Sequence, residues 1–458
     1  MLLPMSPTSS MFLLAETRDN PMHVASLQLY LPPKGATALD IRALFEEAIE
    51  DGEVAPLFLK RPKRSLTTLG QWGWTTDDSF DIEHHVRRSA LPQPGKIRDL
   101  LALCSRLHST LLDRKRPLWE MHLIEGLEDG RYALYFKVHH ALLDGVSAMR
   151  LMPKTLSTDP DERGMKAPWA PYDNTRRARS SSGRRSPVKE AVGVAGEVAG
   201  LAPALARTAL NALRDQGGSV SLNAPRSMLN VDITGSRRFA GQSWPMERLR
   251  QVAKASDVTL NDVVLAMCSG ALRTYMSGLE QLPEQSLVAM VPVSLHDSES
   301  KESDGGGNAV GAVMCRLGTD LDDPAERLAT VHASMTDGKA SLRGMSQPQI
   351  LAMSALGVSP LAVWPALRLT DRVRPPFNVI ISNVPGPTEP LYWNGARLDG
   401  LYPLSIALDG QGLNITCTTY SDEIAFGLTG CRRTVPHLQR LLTYLDDELA
   451  GLEKAVGV

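Results

Sequence analysis

Two hydrophobic periodicities share the first third of the chain and together predict a mixed α/β fold. Apolar side chains at every second position predict strands over 22–31, 80–87, 118–124 and 131–139. Apolar side chains at every third or fourth position predict helices over 38–51, 99–113 and 145–156. The polar turn Glu128-Asp129-Gly130 joins the last two strands. Strands and helices follow one another without strict alternation, so the sheet is expected to be mixed.

The second half of the chain again predicts both helices and strands, and a segment of different composition precedes it. Residues 157–187 contain several prolines and the run RRARSSSGRRS, a composition typical of a linker. An amphipathic helix weakened by glycines is predicted over 188–213, and a strong helix over 259–277, where Thr259 and Asp262 suit a capped start. Strands are predicted over 287–293, 309–317, 377–382, 413–420 and 423–429.

A chain of 458 residues is too long for one compact core and suits two domains. We predict an N-terminal domain over 1–175, a basic linker with an amphipathic crossover helix over 176–224, and a C-terminal domain over 225–458.

Composition and charge narrow the class of protein. A net charge of -2 gives the protein no overall positive potential that would attract nucleic acid, so no nucleic-acid partner is expected. The five cysteines are scattered and odd in number, which favours reduced thiols in a cytosol over disulfides or a zinc site. The N-terminus lacks the basic start of a signal peptide, and the sequence has no apolar run long enough to span a membrane. We therefore expect a cytoplasmic protein that can still lie on a membrane surface.

The segment KVHHALLDGVSAMRL, residues 137–151, carries the chemistry. Strand alternation sends His139 and His140 to opposite faces, so one of them at most can meet a given substrate atom. Asp144 follows four residues later, and Gly145 permits a tight turn into the next helix. A hydroxyl nucleophile needs a neutral imidazole to accept its proton, and histidine has a pKa near working pH. A metal site fits less well, because no further ligand accompanies two histidines on opposed faces.

This segment matches the HHxxxDG motif of coenzyme A-dependent acyltransferases that resemble chloramphenicol acetyltransferase. Further stretches resemble the bacterial wax ester synthase/diacylglycerol acyltransferase family, and they occur in the family's order: PMHVASLQLY at 21–30, LHSTLLDRKRPLWEMHLIEGL at 107–127, TLNDVVLAMCSGALR at 259–273, MVPVSLH at 290–296, NVIISNVPGP at 378–387 and YPLSIALDGQGLNIT at 402–416. The chain departs from the family at His296 and at Asn308-Ala309, where many members carry Arg and Asn-Arg.

The resemblance implies a role for each matching residue. His140, the second histidine, would be the catalytic base, and Asp144 would form a structural salt bridge whose arginine the sequence does not identify, with Arg18 one candidate. The substrate-channel candidates come from three further motifs: Pro117, Leu118 and Trp119 (PLW), Asn261 and Asp262 (ND), and Ser382 and Asn383 before PGP. Strand packing explains Leu118 better than a site role, and helix capping explains Asp262 equally well. The donors of Ser382 and Asn383 would either face an oxyanion or belong to a plain turn.

The fold implied by the resemblance is two acyltransferase-like α/β domains, each a mixed sheet flanked by helices, with a channel at their interface. Acyl-CoA would be a substrate rather than a cofactor, and the acceptor would be diacylglycerol, a long-chain alcohol or both. Transfer would be direct, because positions 141–143 offer no serine or cysteine for an acyl-enzyme.

Two alternatives remain open at this point. One is a condensation-type enzyme with a carrier-bound donor, and the other is a non-catalytic lipid-binding relative. Segment 176–213, with five arginines ahead of its helix, is either a membrane or lipid-droplet contact or a packed crossover.

Overall fold

The computed structural model describes residues 3–64, 70–171, 224–294, 310–343, 350 and 373–458. The elements of the first half are β1 (Leu3–Pro4), α1 (Pro7–Ala15), β2 (His23–Leu31), α2 (Ala38–Glu50), β3 (Lys60–Arg64), β4 (Trp72–Thr76), α3 (Ile82–His85), β5 (Val86–Ala90), α4 (Ile97–His108), β6 (Trp119–Glu125), β7 (Tyr132–His139) and α5 (Gly145–Thr155). Those of the second half are β8 (Arg237–Pro245), α6 (Met246–Ala255), α7 (Leu260–Ser277), β9 (Val288–Ser294), β10 (Val310–Arg316), α8 (Pro324–Leu342), β11 (Val379–Val384), β12 (Tyr392–Trp393), β13 (Ala396–Leu404), β14 (Leu413–Tyr420), β15 (Glu423–Cys431) and α9 (Arg440–Val456).

The described strands form two six-stranded sheets and one three-stranded sheet. The first large sheet has the order β12-β13-β2-β7-β6-β5, with β5 parallel to β6 and the other neighbours antiparallel. The second has the order β10-β9-β11-β14-β15-β8, with β11 parallel to both β9 and β14. Both sheets are mixed and flanked by helices, so the predicted α/β class is confirmed.

One strand crosses between the two halves of the chain. β13 pairs antiparallel with β2, with Tyr402 opposite Leu27, and so completes the first large sheet with residues that follow the second sheet's β11. β13 also packs against β14 and β15 of the second sheet. This exchange ties the two sheets together along one seam.

The second half buries its core around α7. Thr259 and Asp262 form the capping box that the sequence predicts, and most of the helix is buried because α6, α8, α9 and the sheet surround it. A Cβ on Gly270 would lie 2.0 Å from the Glu448 carboxylate, so glycine leaves the room that this side chain occupies. Glu448 in turn accepts a hydrogen bond from the buried Arg327 at 2.7 Å, which pairs the two charges.

The prediction for residues 80–87 is wrong in part. The Asp81 carboxylate accepts the N–H of Glu83 at 3.1 Å and starts the one-turn helix α3, and the strand begins only at Val86. Side-chain capping competes here with the alternating pattern. The predictions for 176–213, for His296 and for Asn308-Ala309 fall outside the described residues.

Candidate functional site

The two motif histidines lie at the carboxyl end of β7, each held by a different neighbouring strand. His139 donates its backbone N–H to Leu118 O on the β6 side, and His140 donates to Met22 O on the β2 side, both at 2.9 Å. Successive side chains of a strand point to opposite faces, so the two rings diverge as the sequence predicts. The His139 side chain is completely buried, whereas His140 is half-buried.

His139 is fixed by Glu16, the residue that ends α1. Its Nδ1 accepts the N–H of Ala141 at 3.0 Å, which places the ring proton on Nε2. Nε2 lies 3.4 Å from a carboxylate oxygen of Glu16, within electrostatic contact but outside hydrogen-bond geometry. Glu16 also accepts Met22 N–H and Arg114 Nε at 3.2 and 2.9 Å. Burial opposes ionisation of Glu16, but the interactions with His139, Met22 and Arg114 outweigh it and lower the carboxyl pKa.

His140 is the available imidazole of the pair. Its ring stacks on Phe12 of α1 with 4.1 Å between centroids, and neither ring nitrogen hydrogen-bonds to any residue in the described part of the chain. Burial lowers the pKa of His140, and the negative charge of Asp144 partly opposes this effect. The ring is therefore neutral at pH 7 and able to accept a proton.

The salt bridge expected for Asp144 is not present among the described residues. Asp144 is exposed and caps α5, accepting the N–H of Ser147 at 2.7 Å. Arg18, the candidate partner, is exposed elsewhere, beside Gly235. The N-cap geometry explains the difference, because the carboxylate satisfies the free amides at the helix start instead of a buried guanidinium. Gly145 is the first residue of that helix.

A small apolar cavity of about 40 Å³ lies on the face of β7 that also bears His140. Leu134 and Phe136 line it from the strand, three and two alternations before His140, and Met149 and Met152 line it from α5. Flexible methionine side chains adapt readily to a chain that enters such a space. The cavity and His140 thus share one face of β7, although His140 itself does not line the cavity.

The PLW residues pack behind the histidines. Pro117, Leu118 and Trp119 are buried, and the indole N–H of Trp119 donates to Phe58 O at 2.8 Å. Leu118 packs against Ala141 of the motif turn. This placement favours packing for Leu118 and gives these residues a supporting position under the turn.

The ND and SN motifs meet in the second half. Asn383 on β11 donates to Asn261 at the start of α7, with 3.5 Å between Nδ2 and Oδ1, and Ser382 is half-buried beside it. Asp262 is buried in its capping box and also lies 2.8 Å from His332 Nδ1. Two distant segments therefore form one polar cluster.

That cluster faces α5 of the first half. α5 packs against β11, and Met149 contacts Thr418, the strand partner of Val384. The sequence analysis missed Phe12, Glu16 and Arg114. Phe12 and Glu16 lie more than a hundred residues from the histidine motif, and no local pattern links Arg114 to Glu16.

Comparison with known proteins identifies the family. The wax ester synthase/diacylglycerol acyltransferase catalytic domain matches residues 5–264, and the WS/DGAT C-terminal domain matches residues 306–453. A Mycobacterium tuberculosis protein described as a probable diacylglycerol O-acyltransferase, tgs2, is 50% identical over 99% of this chain and 99% of its own.

Solved structures agree with this assignment. The wax ester synthase/diacylglycerol acyltransferase from Marinobacter aquaeolei VT8 superposes with a TM-score of 0.78 at 43% identity, over 99% of this chain and 100% of its own. The first condensation domain of the CDA synthetase shares the fold, with a TM-score of 0.58 at 16% identity over 100% of this chain and 96% of its own. The chain belongs to the wax ester synthase/diacylglycerol acyltransferase family. This confirms the resemblance inferred from the motifs and the assignment as an acyltransferase.

Proposed function

We propose that this protein transfers a long-chain acyl group from acyl-CoA to the hydroxyl of diacylglycerol, of a long-chain alcohol, or of both. The observation that carries the proposal is the placement of His140, a half-buried imidazole whose ring nitrogens have no hydrogen-bond partner among the described residues and which follows the strand whose same face lines an apolar cavity. The relatives' names supply the substrates, since they describe diacylglycerol acyltransferases and a wax ester synthase.

His140 acts as general base in this proposal. The imidazole accepts the hydroxyl proton while the alcohol oxygen attacks the thioester carbonyl. The tetrahedral intermediate then collapses, its C–S bond breaks, and the thiolate of coenzyme A takes the proton back from the imidazolium. The products are the ester and free coenzyme A. The lowered pKa of His140 supports this role, because the base must be neutral to begin.

In this proposal, the polar cluster of the second half stabilises the negative charge that develops on the thioester carbonyl oxygen. Asn383 and Ser382 carry donors at the end of β11, the strand that packs against α5. Preorganised donors aimed at an oxyanion often contribute ~3–4 kcal/mol each. We therefore expect Asn383→Ala to lower kcat. Asn414→Ala is the comparison variant, because Asn414 is an asparagine on β14, the strand that pairs with β11.

A crossed assay tests the proposed function. Palmitoyl-CoA is offered with diacylglycerol and, separately, with hexadecanol, and ester formation and thiol release are measured together. Equal rates of ester and thiol formation support the proposal. Transfer only from a carrier-bound donor to an amine would favour a condensation-type enzyme, and binding without turnover would favour a lipid-binding relative.

We further propose that the protein acts at the cytoplasmic face of a membrane or at a lipid droplet. Within the described residues, no helix is both long and apolar enough to cross a bilayer. α1, which covers His140, exposes Met11 and Leu14 by 60% and 62%. The adjoining three-stranded sheet adds the exposed cations Lys63 and Arg64 on β3. An apolar surface next to basic residues suits anionic lipid, to which each cation contributes ~1 kcal/mol.

Vesicle co-sedimentation tests this surface. The double variant Met11→Ser/Leu14→Ser should bind phosphatidylglycerol vesicles more weakly than wild type. Leu39→Ser is the control, because Leu39 is 70% exposed but lies on α2. Equal losses in the two variants would contradict an assignment to α1. Loss only after replacing the arginines of 176–213 would assign membrane binding to that segment.

A further inference from the structure

A second and larger cleft lies beside α4, between the end of β5 and the start of β8, and it shares no lining residue with the apolar cavity. Its volume is about 740 Å³, which falls within the ~300–1,000 Å³ range of ligand pockets. α4 packs on the face of β7 that bears Ala133 and Tyr135, whereas Leu134, Phe136 and His140 belong to the opposite face. A molecule in this cleft is therefore separated from His140 by the sheet.

Three arginines reach the cleft from both halves of the chain, and none has a counter-charge in the described residues. Arg106 lies on α4, Arg238 on β8 and Arg432 directly after β15. No described carboxylate lies within 4.0 Å of any of the three guanidinium groups. Asp99, the carboxylate in the lining, lies 3.9 Å from Arg98 instead. Like charges gathered in a concave surface repel one another, so this surface attracts an anion.

A fourth arginine is a fixed and buried part of the lining. The Arg237 side chain donates to the carbonyl oxygens of Asp19 and Ala407 at 2.7 and 2.9 Å, and the residue is only 4% exposed. Burial lowers the pKa of Arg237 to about 10, so the guanidinium still carries its charge at pH 7. It therefore adds positive potential to the cleft from a position that cannot move.

The walls of the cleft are held in place by hydrogen bonds between α4 and β8. The hydroxyl groups of Ser109 and Ser105 accept the backbone N–H groups of Arg237 and Phe239 at 2.8 and 2.9 Å. These bonds join a helix of the first half to the edge strand of the second large sheet. The backbone that carries the arginines is thus already in position, which reduces the entropy lost when a ligand binds.

The remaining lining indicates the chemical class of the ligand. A phosphomonoester carries about two negative charges at pH 7 and three strong acceptor oxygens, and guanidinium groups recognise such oxygens through paired hydrogen bonds. Leu91, Pro92 and Leu103 add an apolar wall beside the arginines. The cleft is also far larger than a single inorganic ion. An organic phosphate therefore matches both the charge and the apolar part of the lining.

We propose that this arginine cleft, formed by Arg106, Arg237, Arg238 and Arg432, binds a phosphomonoester, either as a small soluble molecule or as a lipid headgroup. The phosphate neutralises arginines from both halves and links α4 to β8 and to the residue that follows β15. The inference does not depend on the proposed function, because the cleft is separate from His140.

Calorimetric titration of the full-length protein with n-butyl phosphate tests the site. The triple variant Arg106→Gln/Arg238→Gln/Arg432→Gln should weaken binding by at least about tenfold, because it removes several charge-assisted hydrogen bonds. Wild type should bind inorganic phosphate more weakly than n-butyl phosphate, since the inorganic ion has no contact with the apolar wall. Binding that the triple variant retains, or no preference for n-butyl phosphate, would contradict the assignment.

A second triple variant controls for net charge. Arg226, Arg250 and Arg343 are exposed and lie outside the cleft, so their replacement by glutamine removes the same charge elsewhere. This control should bind n-butyl phosphate like wild type. Equal weakening in both triple variants would reduce the effect to the overall charge and reject the site.

Thermal denaturation separates a binding role of the arginines from a structural one. In phosphate-free buffer the cleft variant should melt at or above the wild-type temperature, because its arginines repel one another and pair with no described carboxylate. Added n-butyl phosphate should raise the melting temperature of wild type but not of the cleft variant. A lower melting temperature of the cleft variant, with no response of wild type to the ligand, would show that the arginines serve folding alone.

Vesicle binding and kinetics distinguish the possible sources of the phosphate. Phosphatidate vesicles present a phosphomonoester, whereas phosphatidylglycerol vesicles present a diester. A preference for phosphatidate that the cleft variant loses supports a lipid headgroup, and binding of n-butyl phosphate without such a preference supports a soluble ligand. The KM for palmitoyl-CoA should be the same in wild type and the cleft variant. A tenfold increase in that KM would assign the arginines to the acyl donor and overturn the inference.

Discussion

Two adjacent histidines differ in chemistry because the strand gives them different neighbours. His139 is buried against Glu16 and has its Nδ1 occupied by a backbone N–H, so neither nitrogen is free to receive a substrate proton. His140 stacks on Phe12 at the margin of the site and keeps both ring nitrogens available among the described residues. One residue of register therefore separates an imidazole held by its neighbours from one whose ring nitrogens have no hydrogen-bond partner among the described residues.

We predict that the two alanine variants separate activity from stability. His140→Ala should lose ~10²–10⁴-fold in kcat, the usual contribution of a general base, and should melt close to wild type. His139→Ala should lose less activity in the folded fraction but melt at a lower temperature, because the buried Glu16 carboxylate loses one of its partners and keeps only Arg114 and the Met22 N–H. Steady-state rates and thermal denaturation of both variants measure this. A folded His139 variant with the larger loss in kcat would reverse the assignment.

Strand alternation is a local property, and it predicts the divergence of the two rings from sequence. The contact of His139 with Glu16 joins residues more than a hundred positions apart, and nothing in either local pattern encodes it. The same holds for Phe12 over His140 and for Asn383 against Asn261. Motifs thus identify which residues belong to a site, whereas the fold determines which of them touch.

At the level of elements, Asp144 has two effects: it caps the start of α5, and its charge influences the protonation of His140. Its carboxylate caps the helix, and its negative charge favours the protonated imidazole. These two effects can be separated, because asparagine caps helices nearly as well as aspartate but carries no charge.

We predict that Asp144→Asn changes the pH profile without lowering stability. The base must be neutral, so kcat/KM should fall as the pH drops through the His140 pKa, which burial places below 6.5. Removing the Asp144 charge lowers that pKa further, so the acidic limb should move to lower pH. Asp144→Ala should show the same shift and also lose ~0.5–2 kcal/mol of stability with the cap. A pH profile that does not move in Asp144→Asn would show that Asp144 does not influence the base.

Helices and strands with a strong hydrophobic periodicity are predictable from this sequence, and those with a weak hydrophobic periodicity are not. α7 and β7 lie within a few residues of their predicted bounds because one pattern dominates each. β8, with the sequence RRFAGQSWP, and β13, with ARLDGLYPL, carry charged residues, glycine and proline that break the alternation. Their strand conformation comes from the partners they meet in the sheets, which tertiary structure supplies.

At the scale of the whole molecule, β13 makes the two halves interdependent. It lies next to β2 in the first large sheet although it follows β11 of the second. Without it, β2 would become an exposed edge with unpaired backbone groups and uncovered apolar side chains such as Leu27 and Leu29.

We predict that residues 1–224 expressed alone do not fold. The fragment should be insoluble or melt without a cooperative transition, and co-expression with 225–458 should recover a soluble complex. The intact chain is the control, and far-UV circular dichroism with thermal melting is the measurement. A fragment that is monomeric and melts cooperatively would show that β13 is dispensable for the first sheet.

The five cysteines bear on whether the enzyme forms a covalent intermediate. All five are free and buried. Burial raises the pKa of Cys104, Cys268, Cys315 and Cys417, which keeps these thiols protonated and unreactive. Burial also opposes ionisation of Cys431, but hydrogen bonds from Thr234 and Thr434 lower its pKa to about 7. Cys431 is thus the one thiol of the five with appreciable thiolate character, and it lies at the end of β15 rather than in the motif turn.

We predict direct transfer within a ternary complex. The acceptor hydroxyl is itself the nucleophile, and positioning both substrates can supply ~7–11 kcal/mol of the barrier. Initial-rate measurements should give intersecting double-reciprocal lines, and incubation with radiolabelled acyl-CoA alone should leave no label on the denatured protein. Cys431→Ala should retain wild-type kcat, because a completely buried thiol cannot receive a long acyl chain. Stoichiometric label that added alcohol chases into ester, and that disappears in Cys431→Ala, would instead establish an acyl-enzyme on that residue.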